Sequence, residues 1–234
     1  FKQKTAYEIM PSLVGSEMCI RDRVYANPTG GANAENLACL GPYVDIWCPF
    51  LTLVKRDPEL VRFLKETGRR VWCYEAEGNV KRLHPLGYYR AQPWIAFSYG
   101  LEGAGFWTYR YRDLWDRWAM YGMVYEGDGP VPSKRWEAYR DGVEDYNYLS
   151  LLREAIEDAR SAGVSARTIR EAEELLRRAV EEVTRGQEEV DEITRWVGEM
   201  SMDYELFARL RRSIAQATVS LRRQTAEVRE RQDK

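Results

Sequence analysis

The sequence predicts an α/β fold of parallel strand–helix units followed by a helical tail. Three observations carry this. From Val24 to about Leu152, short apolar runs that end in polar turns alternate with helix-patterned stretches, the order expected of βα units around a parallel sheet. The runs are close to continuously apolar, as strands covered on both faces are. Beyond about Gly163 the pattern changes to amphipathic helices with Glu and Arg between the apolar positions.

The elements follow in order. "VYAN" (24–27) reads as a first strand, closed by the turn "PTGG", and Asn33 to Leu40 is helix-like. "YVDIWCPF" (43–50) reads as the second strand. Asp57-Pro58 opens the next helix with proline in its first turn, and "ELVRFLKETG" closes on Gly68. "RRVWCYEAEG" (69–78) is a third strand ending on Gly78, "GYYRAQPWIAFSYGL" is helical after Pro93, and "GAGFWTYR" (103–110) is a fourth strand. "GDGPVPSKRWEAYRDGVEDYNYL" (127–149) is a Gly/Pro-rich loop running into a helix, with Ser133 placed to cap it. A full capping box needs Glu or Gln at 136, where this chain has Trp. These are four βα units, and a whole (β/α)8 barrel needs about 250 residues. The pattern therefore reads as half of a TIM barrel over residues 24–160, with a helical extension over 161–234. A small doubly wound sheet is the competing architecture and would be complete as it stands.

In the tail, Ile169, Ala172, Leu175, Leu176, Ala179, Val180 and Val183 keep helical spacing, as do Leu206, Leu210, Ile214, Ala217 and Leu221. The spacing is not a strict heptad, which argues against a coiled coil. The first 23 residues, "FKQKTAYEIMPSLVGSEMCIRDR", show no sustained period. They resemble translated sequencing-adapter read-through and are read as a non-native segment, so that the biological sequence is expected to be cut off upstream of Val24.

Composition narrows the function. Net charge is −2 with no basic stripe, which argues against nucleic acid as a partner. No apolar run approaches the roughly 20 residues of a membrane span. The four cysteines (19, 39, 48, 73) form no CxxC pair and His84 is the sole histidine, so no metal or cofactor is expected and a Ser-His-Asp triad is poorly supported.

Function in parallel α/β folds collects at the C-terminal ends of strands. Those ends offer Asn27; Asp45, Trp47 and Cys48; Tyr74, Glu75 and Glu77; and Trp107, Tyr109 and Arg110. Aromatic platforms with carboxylates suit a sugar: rings cover the apolar side of a pyranose, and carboxylates bind hydroxyls or move protons. The alternative is that Trp47, Trp72 and Trp107 are core and the glutamates are loop surface. Glu75 and Glu77 are the best acid–base candidates, because glycoside hydrolysis normally uses two carboxylates. Glu102 precedes its strand and is read as structural. In the helix after Ser133, Trp136, Tyr139, Val143 and Tyr146 share one side, while Glu137, Asp141 and Glu144 share another. Arg140 can reach Glu137 or Glu144, so ion pairing is expected there rather than catalysis.

The run Pro130 to Leu149 also resembles the C-terminal signature of the glycoside hydrolase family 123 catalytic domain, of DUF4091 type. Pro130, Ser133, Arg135, Glu137, Arg140, Asp141, Gly142, Glu144, Asp145, Tyr148 and Leu149 stand at the positions of its pattern. "DIWCP" (45–49), "VWCYEAEG" (71–78) and "GLEGAGFWTYR" (100–110) are similar to the family's last strands in the same order. The resemblance spans about Val24 to Leu152. It implies strands five to eight of a (β/α)8 barrel in a bacterial protein of the periplasm, cell surface or extracellular space. It also implies exo-β-N-acetylgalactosaminidase chemistry. The substrate's own acetamido oxygen attacks the anomeric carbon, an Asp polarises the acetamido group, and the adjacent Glu is general acid. That Asp-Glu pair belongs near the fourth strand, and no adjacent Asp-Glu stands at a strand end after Val24. What remains would be pocket wall, with Asn27, Asp45, Trp47, Tyr74, Glu75, Trp107, Tyr109 and Arg110 as glycan contacts, and the chain alone is expected to be inactive. A two-carboxylate retaining glycosidase with Glu75 or Glu77 as nucleophile is one alternative; a non-catalytic carbohydrate-binding or scaffold protein is another. Open sheet edges would favour self-association.

Overall fold

The structure is a computed structural model, and it describes residues 23–76, 84–109, 122–185 and 204–232. It is a mixed α/β arrangement around one parallel sheet. Strands β1 (Tyr25–Ala26), β2 (Ile46–Trp47), β3 (Arg70–Glu75) and β4 (Gly103–Phe106) are hydrogen-bonded in chain order. β2 is shorter than its apolar run. A 3-10 turn occupies Ala38–Tyr43 on one side of it, and Pro49 on the other has no N–H to give to a ladder.

Local chemistry fixes the helices. In α1 (Ala34–Leu37), Asn33 and Asn36 cap reciprocally: each side-chain oxygen accepts the other's backbone N–H at 2.9 Å. α2 (Leu51–Arg56) leads into α3 (Pro58–Glu66), where Asp57 accepts the Leu60 N–H at 2.9 Å and Pro58 stands at the first position. The next helix starts earlier than Pro93. A π-type turn over Pro85–Arg90 runs into α4 (Ala91–Ser98). The wider turn leads into a segment whose Pro93 has no N–H to offer. His84 caps this turn, its Nδ1 accepting the Gly87 N–H at 3.1 Å.

The sheet has two unlike faces, set by alternation along each strand. Ala26, Trp47, Val71, Cys73 and Ala104 point toward the helices and pack with Leu51, Val54, Leu60, Leu64 and Ile95. The other face carries Tyr25, Ile46, Cys48, Trp72 and Tyr74, with Gly103 and Gly105 in register beside the last two.

After β4, the "GDG" loop proves to be the turn of a hairpin. β5 (Val124–Glu126) and β6 (Pro130–Pro132) pair antiparallel across it. The Ser133 hydroxyl then accepts the N–H groups of Arg135 and Trp136 at 3.2 Å and opens α5 (Lys134–Ala162). Gly163, at φ 82°, closes that helix in the left-handed region. α6 (Ala166–Thr184) and α7 (Tyr204–Gln232) follow. The tail does not hang free: Trp94, Phe97, Leu149, Leu152, Ile156, Ile169, Val183, Phe207, Ile214 and Leu221, from α4 through α7, form one buried core.

A buried ion cluster ties that core together. Asp145 and Arg90 are both almost completely buried. Asp145 accepts from Arg90 Nε at 2.8 Å, Trp94 Nε1 at 3.1 Å and Arg211 Nε at 2.6 Å. Arg211 also donates to the Asp141 carbonyl at 2.9 Å and to Glu144 at 3.2 Å. The Arg90 guanidinium lies 4.5 Å from the Phe207 ring centroid, a cation–π contact. Gly142 makes the approach possible, because a Cβ there would sit 2.5 Å from the Arg90 carbonyl oxygen.

Removing one partner of a buried pair strands the other charge, so Asp145→Asn should cost about 3–5 kcal/mol. Gly142→Ala should cost about 3 kcal/mol through overpacking. Glu137→Ala, at the exposed Glu137–Arg140 pair, should cost under about 1 kcal/mol. Urea midpoints at unchanged m-value measure all three, and equal losses would remove the cluster from its central place.

Candidate functional site

The C-terminal ends of the strands bring together part of the predicted set. Tyr25 is in register with Ile46, Trp72 with Gly103, and Tyr74 with Gly105. Alternation continues this face to Asn27 past β1 and to Trp107 past β4. Trp107 extends the ladder by donating its N–H to the Glu75 carbonyl at 2.8 Å, and its side chain is 51% exposed. Asn27, Tyr74 and Trp107 thus share one face with Tyr25 and Cys48, and Phe50 joins them through its ring contact with Tyr74 at 5.3 Å. Phe50 was not predicted; its place past a Pro at a strand end was the available signal.

Toward the C-terminal ends of the strands, the described side chains of this face are uncharged. Burial pushes the Tyr25 phenol above its usual range, and a hydrogen bond with Cys48 adds to this while one from Asn27 opposes it. Burial also raises the Cys48 thiol, partly offset by the bond from Tyr25. Tyr74 is raised by burial as well. The strand residues described on this side include no carboxylate.

Three predicted contacts lie elsewhere. Asp45 precedes β2, at the opposite end from the site; it accepts the Val24 N–H at 2.9 Å and faces Arg69 at 3.9 Å. The apolar run 43–50 predicts an eight-residue strand that contains Asp45, whereas β2 spans two residues. Trp47 is fully buried on the helix side, where its Nε1 donates to the Thr67 hydroxyl at 3.2 Å. It is core and not a platform. Glu75 is 1% exposed and also turns to the helix side, because it alternates with Tyr74. Its Oε1 accepts the Ala76 N–H at 3.0 Å, and it faces Lys55 of α2 electrostatically. Burial lowers the Lys55 ammonium to about 8, with Glu75 and Cys73 opposing the drop.

Tyr109 is exposed and sets its ring edge-on to Trp136 at 5.1 Å. Its carbonyl accepts the Met123 and Val124 N–H groups at 3.2 and 2.9 Å, fastening β4 to the hairpin. Glu77 and Arg110 lie outside the described residues. Glu102 pairs with Arg70 at 2.9 Å, the structural role read for it. The signature-helix carboxylates Glu137, Asp141 and Glu144 are all in ion pairs. Sequence reasoning missed Asp145 as their hub. Gly142, Asp145, Leu149 and Leu152 follow helical spacing, so an acid on an apolar stripe was the signal.

Among the described residues, no group of three or more His, Cys, Asp or Glu side chains could hold a metal ion. No helix there is long and apolar enough to cross a membrane. The arrangement can stack a ring on aromatic faces and offer it neutral hydroxyl and amide groups. No family model matches the chain, and no curated protein matches it.

Lys55 is the group whose titration tests this electrostatic picture. Its ammonium should titrate near 8, against about 10.4 for ordinary lysines, as followed by the 13Cε shift. Between those values the unfolded chain binds the extra proton, so this residue's contribution to stability rises with pH across that window. A midpoint above 10 would place the amine in water instead.

Proposed function

We propose that this chain is the C-terminal part of a glycan-acting (β/α)8 protein similar to glycoside hydrolase family 123, and that it supplies the wall of the sugar site rather than its reacting carboxylates. The observation that carries this reading is the face at the strand ends, which Tyr25, Asn27, Tyr74 and Trp107 share and whose side chains there are uncharged among the described residues. Trp107 and Tyr74 would stack on the apolar side of a pyranose, while Asn27 would hold a hydroxyl or acetamido oxygen. Four parallel strands in chain order are half the number that closes such a barrel. β1 and β4 would pair with the remaining strands, or with another copy in isolation. The acetamido oxygen of the substrate would attack the anomeric carbon, with the polarising Asp and the acidic Glu supplied upstream of Val24. A periplasmic, surface or secreted bacterial setting fits such a substrate.

A two-carboxylate glycosidase with Glu75 as nucleophile is less well supported, since Glu75 turns to the helix side. A non-catalytic carbohydrate-binding protein draws on the same aromatic face and differs only in lacking the upstream pair.

Titrating the full chain with N-acetylgalactosamine should shift the Trp107 indole resonance at millimolar sugar, with no release of p-nitrophenol from the p-nitrophenyl β-N-acetylgalactosaminide. Turnover that disappears in Glu75→Gln would favour the two-carboxylate rival. An indole spectrum untouched by N-acetylgalactosamine, N-acetylglucosamine or galactose would end the glycan reading.

A further inference from the structure

A cavity of about 290 Å³ lies in the helical layer, lined by the π-type turn, α5 and α7. Tyr204, Arg211 and Arg212 recur at helical spacing and put one face of α7 on it. Arg90 comes from the turn and Tyr148 from α5. The short side chains of Ala208 and Ala215 leave the space between them. Three arginines and two tyrosines thus meet in one cavity, and no carboxylate is among the described residues that line it.

The protein itself uses only part of this donor set. Asp145 and Asp141 hold Arg90 through its Nε, Nη2 and Nη1. Asp145, Glu144 and the Asp141 carbonyl hold Arg211 through its Nε, Nη1 and Nη2. Each terminal nitrogen carries two hydrogens and makes one of these bonds, so each keeps a second N–H. Arg212 is exposed and has no hydrogen bond or ion pair among the described residues. The rings orient two of the guanidinium groups: Arg90 lies 5.1 Å from the Tyr204 ring centroid, and Arg211 lies 5.6 Å from that of Tyr148. Stacking engages the flat face of a guanidinium and leaves its N–H edge for in-plane hydrogen bonds. The acids that balance Arg90 and Arg211 stand outside the lining, so the charge turned into the cavity is positive.

We propose that this cavity is a ligand site separate from the strand-end face, and that it takes a tetrahedral oxyanion, a phosphate or sulfate group. Arg212 supplies the balancing cation, and the remaining N–H groups of Arg90 and Arg211 supply further donors. Guanidinium edges match the paired oxygens of such a group. The volume is near the lower end of small-molecule pockets, about 300 Å³, so an oxyanion borne on a ring fits as well as the bare ion, with the ring against the tyrosines. The inference does not rest on the glycan reading.

The test titrates the full chain with sodium phosphate, sodium sulfate and phenyl phosphate, following the Tyr148 and Tyr204 ring resonances, with sodium chloride at matched ionic strength as the control. Phosphate and sulfate should shift these resonances at millimolar concentration. Arg212→Gln should keep the wild-type urea midpoint, since Arg212 is exposed and stands outside the ion cluster. The same variant should bind phosphate about tenfold or more weakly, the scale of one lost hydrogen bond to a charged group. Tighter binding of phenyl phosphate than of phosphate would assign the site to a ring-borne oxyanion; equal or weaker binding would assign it to the free ion. If chloride reproduces the shifts, they report screening and the inference falls. It falls equally if Arg212→Gln binds phosphate as the wild type does, or if phosphate and sulfate leave both tyrosines unmoved.

Discussion

The buried carboxylate of Asp145 is where the sheet-covering helices and the tail are joined. It receives donors from the π-type turn, from α4 and from α7. A single buried anion would be costly, and its guanidinium and indole partners offset that cost only while all three elements are docked. The requirement reaches back into the backbone, since α5 comes close enough to Arg90 only where Gly142 lacks a Cβ. The acidic run of the signature helix is thus a structural lock. Its charge density has the look of chemistry, but its carboxylates are occupied by arginines on the far side of the sheet from the site.

The sheet shows how alternation divides labour within a few residues. In β3, Val71, Cys73 and Glu75 belong to the helix side, and Trp72 and Tyr74 to the other. The one carboxylate at the end of this strand in the described residues therefore sits beside Lys55 in the interior, where burial depresses the amine and the two partly compensate. The opposite face is aromatic and, toward the C-terminal strand ends, uncharged among the described residues. Under the proposed function such a face would recognise shape and hydroxyl pattern rather than move a proton.

Cysteine chemistry points the same way. Cys48 and Cys73 are free and buried, and burial raises both thiols. A protonated buried thiol behaves as a small apolar group and not as a nucleophile.

The sequence by itself determined the order of the four parallel strands, the helix opening at Asp57-Pro58, the cap at Ser133, the turn at Gly68 and the structural reading of Glu102 and the signature-helix acids. These are local: each depends on a cap, a turn residue or a period within a few positions. It also placed Asn27, Tyr74 and Trp107 at strand ends. Only the tertiary structure decided which side each faced, because a strand's period of two gives alternation but not its phase until neighbours set the register. That phase moved Trp47 and Glu75 to the interior. Strand length moved Asp45 to the opposite end, a boundary that an apolar run cannot mark. The Arg90–Asp145–Arg211 cluster was invisible for a further reason: its partners are 55 and 66 residues apart in sequence, and nothing local signals that three distant chain segments will meet in one dry interior.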